Sequence, residues 1–72
     1  MNLKYNPTMK TMLEILQIVK IHGPMPRTQI YQKSSNRIII GTIRVTLAFF
    51  IDMGVVGVTG NQYYYIGNSD EI

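Results

Sequence analysis

Met53-Gly54-Val55-Val56-Gly57-Val58-Thr59-Gly60-Asn61-Gln62-Tyr63-Tyr64-Tyr65-Ile66 decides the fold, because the apolar period changes here from that of a helix to that of a strand. Gly54 closes what precedes it. Val55 to Thr59 is rich in β-branched residues and predicts one strand; Gln62 to Ile66 predicts a second. Between them Gly60-Asn61, glycine first and asparagine second, suits a primed two-residue turn whose twist matches paired strands. In that register Val58 faces Tyr63 and Val56 faces Tyr65. Alternate tyrosines then face a core and the others cover the strand. An isolated hairpin is marginal in water, so this one must lie against helices from the rest of the chain.

Upstream, the apolar spacing is helical. A third helix is expected over about 41–53, with Ile43, Leu47, Phe50 and Met53 as its inner row. Thr42, Arg44, Val45, Thr46, Ala48 and Phe49 fall on its remaining surface. Arg37-Ile38-Ile39-Ile40 is the turn leading into it, and Ser34-Ser35-Asn36 is a cluster of turn formers. A short second helix is expected over about 27–35, starting at Pro26, with Ile30 in the core and Tyr31 partly so. Gly23-Pro24 stops a first helix over about 7–22, capped by Asn6 with Pro7 in its first turn. Its inner face is read as Met9, Met12, Leu13, Leu16 and Val19, widened by Ile15, with Ile18 and Ile21 toward the polar side. Residues 67–72 are a polar tail. The whole, 1–72, is a single α+β domain of three helices followed by a two-stranded antiparallel hairpin.

Composition narrows the function. The chain has 72 residues, no cysteine, one histidine and four carboxylates, which excludes thiolate metal sites and thiol catalysis and leaves little for a metal cage. Ser34 and Ser35 have no base beside them, and no phosphate-binding glycine loop is present. No enzyme activity, metal, cofactor or small-molecule substrate is therefore expected. Arg44 and Asp52 interrupt the apolar stretch 38–58, so no membrane span is expected. Without an export signal near Met1 the expected location is cytoplasmic, on a nucleoid or within a host cell. Seven basic residues against Glu14 alone give +6 over residues 1–51, while Asp52, Asp70 and Glu71 give −3 over residues 52–72. A one-sided basic field suits a polyanion. Charged residues are only 15% and apolar residues 46%, so some apolar surface is expected to meet another subunit.

Ile15-Leu16, Val19, Gly23-Pro24-Met25 and Arg27-Thr28-Gln29-Ile30 resemble the opening of winged helix-turn-helix domains. Gly41-Thr42-Ile43-Arg44-Val45-Thr46-Leu47, Phe50 and Met53-Gly54-Val55-Val56 resemble the family's recognition helix and its exit. Gly60-Asn61-Gln62-Tyr63-Tyr64-Tyr65 resembles the wing tip and its returning strand. The resemblance spans roughly residues 8–66, and the small size is similar in style to regulators encoded by archaeal viruses and plasmids. It implies a transcriptional regulator that binds double-stranded DNA sequence-specifically. Thr42, Arg44, Val45 and Thr46 would enter the major groove, and Arg27, Lys33, Ser35, Asn36 and Arg37 would hold phosphates. Asn61 and Gln62 would reach DNA from the wing. A homodimer would read half-sites roughly 34–36 Å apart. The alternative is a winged-helix module that binds another protein without DNA, since one fold serves both. An exposed apolar patch over the N-terminal half of the third helix would favour that alternative.

Overall fold

The computed structural model describes residues 8–35 and 38–67. These form α1 (Met9–His22), α2 (Arg27–Lys33), α3 (Ile40–Asp52), β1 (Val56–Thr59) and β2 (Gln62–Tyr65), in that order. The domain is α+β, three helices followed by a two-stranded antiparallel hairpin, in a winged-helix layout.

Thr8, not Asn6, caps α1. Its backbone is extended, and its Oγ1 accepts the Thr11 N–H at 3.2 Å, satisfying a donor the helix itself leaves open. The expected start at residue 7 is thus corrected to Met9; Asn6 and Pro7 lie outside the described residues. The helix ends where the Gly23 N–H reaches the Val19 carbonyl at 3.1 Å. Its buried face is also rotated from expectation. Ile15, Ile18 and Val19 are buried and Met12 and Leu16 half-buried, whereas Met9, Leu13 and Ile21 are exposed. Apolar residues surround so much of this helix that two overlapping stripes satisfy the period. Packing against α2, α3 and β2 selects the one containing Ile18.

Pro26 precedes α2 as its cap rather than forming its first residue. The helix ends at Lys33 instead of residue 35, because Ser34 turns to extended backbone and its hydroxyl donates to the Tyr31 carbonyl at 2.7 Å. Ile30 is fully buried and Tyr31 exposed. Ile38 is buried in the connection that follows, and α3 starts at Ile40, one residue before the expected range. Extended Ile39 is its cap, the Ile39 carbonyl accepting from the N–H groups of Thr42 and Ile43.

Two paired bonds close α3. The Val55 N–H reaches the Phe50 carbonyl at 2.9 Å and the Gly54 N–H reaches Ile51 at 3.0 Å, with Gly54 left-handed at φ 78°. This is the Schellman arrangement, and its usual apolar contact is supplied by buried Val55 and Phe50. Met53 lies past the last helical residue and is exposed, so it is not part of the inner row.

The hairpin has the expected register, with Val56 opposite Tyr65, Gly57 opposite Tyr64, Val58 opposite Tyr63 and Thr59 opposite Gln62. Both strands are one residue shorter than expected at their outer ends, although the Ile66 N–H still bonds the Val55 carbonyl at 2.8 Å. In the turn only Gly60 has positive φ (64°), the requirement of a type II′ turn. Met25 adds a third, one-residue rung by exchanging both backbone bonds with Tyr63, at 2.8 and 3.1 Å. This rung ties the wing to the α1–α2 link. Ile15, Val19, Ile30, Ile43, Leu47 and Val56 form the centre of the core, with Tyr63 and Tyr65 packed against it. Tyr64 covers the opposite face, its ring lying over Gly57.

Candidate nucleic-acid interface

Of the residues expected at DNA, the structure leaves Arg27, Lys33, Arg44, Val45, Asn61 and Gln62 exposed. The Met25–Tyr63 rung sets the start of α2 beside the turn of the wing. Arg27 and Thr28 there share a hollow of about 160 Å³ with Pro26, Asn61 and Tyr63. A guanidinium, a hydroxyl and a side-chain amide around one hollow suit a phosphate oxygen. Lys33 stands at the last turn of α2 and Arg44 on the outer surface of α3. None of these three cations is ion-paired among the described residues. Lys20 is differently placed, with its Nζ 5.3 Å from the centre of the Tyr65 ring, so the ammonium is stacked on the wing.

Three expected contacts are corrected. Thr46 is 0% exposed and Thr42 only 7%, so neither can present a hydroxyl to a groove. The cause is geometric. α3 lies between α1, α2 and β1, and that cover reaches around more of the helix than the row Ile43, Leu47 and Phe50 alone. Thr42 and Thr46, four residues apart, share one edge of the buried face. Thr46 Oγ1 is buried with no hydrogen-bond partner among the described residues.

Ser35 is the third. Its N–H donates to Glu14 Oε2 at 2.7 Å and its hydroxyl to Oε1 at 3.4 Å. A carboxylate from α1 therefore occupies the turn where a phosphate was expected, and repels one. Asn36 and Arg37 lie outside the described residues. The Glu14 clasp spans 21 positions of sequence. Its only sequence signal is the isolation of Glu14, the sole acid among the first 51 residues.

The outer surface of α3 is mostly hydrocarbon. Ile40, Val45, Ala48, Phe49 and Met53 are exposed there, accompanied by Arg44 and Asp52. Phe49 is 46% exposed, its ring edge-on to buried Phe50 at a centroid distance of 5.7 Å. Ile39 is also exposed, so exposed hydrocarbon occurs in the N-terminal half of the helix, at Ile40 and Val45, as well as toward its end.

Among the described residues no helix is long and apolar enough to cross a membrane, and no group of three or more metal-ligating side chains occurs. No family model matches the chain, and no curated protein or solved structure matches it significantly.

Proposed function

We propose that the protein binds double-stranded DNA and regulates transcription, using the start of α2, the wing turn beside it and the outer face of α3. The observation that carries this is a set of exposed cations, Arg27, Lys33 and Arg44, unpaired among the described residues, on a winged-helix frame. Arg27, with Thr28 and Asn61, holds a phosphate and fixes register; Lys33 adds a second backbone contact. Arg44 projects into the major groove, where its fork reads a guanine edge. Three such contacts give a slope of about −3 in log affinity against log salt. Anisotropy of a labelled mixed duplex over a salt series, for wild type and Arg44→Ala, tests this. Salt-sensitive binding that weakens in the variant is expected; no binding at low salt by folded protein refutes it.

One observation favours a second reading. The outer face of α3 offers five apolar side chains and a single cation, a composition suited to a protein surface rather than to phosphates. In that reading α3 docks on protein.

A further inference from the structure

We infer that the outer face of α3 fits a second copy of itself, the two helices running antiparallel about a two-fold axis at Ala48. The inference rests on the second reading above and names its partner.

Arg44, Ala48 and Asp52 are exposed and four residues apart, so they form one row along the helix. At 1.5 Å per residue, Arg44 and Asp52 lie about 6 Å on either side of Ala48 along the axis. A two-fold axis through Ala48 reverses one helix on the other. Arg44 of each protomer then lies level with the partner's Asp52, and the pairing occurs twice, as an isologous contact requires. Alanine at the crossing lets the two axes approach to about 8 Å, and rows of i, i+4 residues interdigitate at a crossing near −50°. The same axis keeps each flank on its own side of the seam. Val45 and Phe49 of one protomer therefore meet the partner's Val45 and the partner's Phe49.

The pairing also accounts for Asp52. A carboxylate in the last turn of a helix faces the negative end of its dipole, and among the described residues Asp52 forms no ion pair. Across the seam it gains the partner's Arg44. Arg44 sits in this seam and on the proposed DNA surface, so pairing and groove binding compete for it.

A seam one helix wide makes a weak dimer, so sedimentation equilibrium should cover on the order of 10 to 500 µM. Wild type is expected to pass from monomer to dimer over that range. Arg44→Asp alone, and Asp52→Arg alone, should each weaken the dimer at least about tenfold by placing like charges face to face. The double variant Arg44→Asp/Asp52→Arg should restore it to within about threefold. Both positions are exposed, and circular dichroism checks that each variant folds. A wild type that stays monomeric, or a dimer indifferent to both reversals, overturns the inference. Duplex binding then says how much falls with it. If Arg44→Asp and Phe49→Ser leave duplex binding unchanged, the groove reading of α3 is lost together with self-pairing, and docking on a different protein is what remains for this face. If both weaken it, the protein-docking reading of α3 is lost as well.

Discussion

Replacing Thr46 by valine should make the protein more stable. The Thr46 hydroxyl is wholly buried and has no hydrogen-bond partner among the described residues, so folding strips it of water without replacement. An unsatisfied buried group of this kind costs about 1–3 kcal/mol. Valine puts a methyl where Oγ1 stands, keeps the branched Cβ and differs little in helix propensity, so most of that cost is recovered. The expected gain is about 1–2 kcal/mol. For a domain of this size each kcal/mol moves Tm by roughly 4–8 °C. Thermal melts and urea titrations followed by circular dichroism measure it, with an unchanged m-value showing that the gain belongs to the native state. Thr46→Ser is the control: it keeps the hydroxyl, loses the methyl and should cost about 1 kcal/mol. Neutrality or a loss in Thr46→Val would mean that the hydroxyl is satisfied, and the reasoning would fail. Any loss of duplex affinity in Thr46→Val would likewise contradict the burial of this edge of α3.

Three other positions yield direct expectations. Glu14→Ala should cost about 1–2 kcal/mol in urea denaturation by leaving the Ser35 N–H without its charged acceptor, whereas Glu14→Gln should cost less and tighten low-salt duplex binding by removing an anion. Gly54→Ala forces a side chain into left-handed backbone at the end of α3 and should cost about 1–2 kcal/mol in the same assay, with Gly54→Asn closer to wild type. At Gly57 an added Cβ would lie 2.5 Å from the Tyr64 ring, so Gly57→Ala displaces that ring. A double-mutant cycle with Tyr64→Ala should show coupling of at least about 0.5 kcal/mol; strict additivity would mean that the ring does not rest on Gly57.

The hairpin was legible in the sequence because two local signals agree there, a period of two and a Gly60-Asn61 turn, and together they leave one register. The helical edges were not. In α3, threonine and valine are near-isosteres, so the pattern Thr42, Val45, Thr46 and Phe49 does not say on which side the boundary falls. Only the bodies packed around the helix decide it. In α1 the apolar residues outnumber the places in the core, and Ile18 and Leu13 exchange roles accordingly. The rung between Met25 and Tyr63 and the clasp of Glu14 on Ser35 join residues 38 and 21 positions apart, beyond the reach of any local pattern. Of the candidate interface, the cations that stand at exposed ends and faces were legible. The hydroxyls were misplaced because serine and threonine satisfy turns and cores as readily as phosphates.

α3 thus carries two threonines on its buried side and isoleucine, valine and phenylalanine on its outer side, with exposed Met53 just past its end. For a helix serving only its own monomer this arrangement is inverted, since hydroxyls gain from water and hydrocarbon from the core. Single exposed apolar residues need no explanation, but Val45, Ala48 and Phe49 lie side by side on one helix with Met53 just past its end, and such contiguity is what a contact surface requires. Arg44 decides what it contacts. If phosphates or a guanine edge hold Arg44, the surrounding hydrocarbon faces base edges, where only thymine methyls reward it. If the partner's Asp52 holds Arg44, both charges and the hydrocarbon are used at once. The second arrangement leaves fewer side chains of this helix without a role and gives one to Asp52, which DNA would repel.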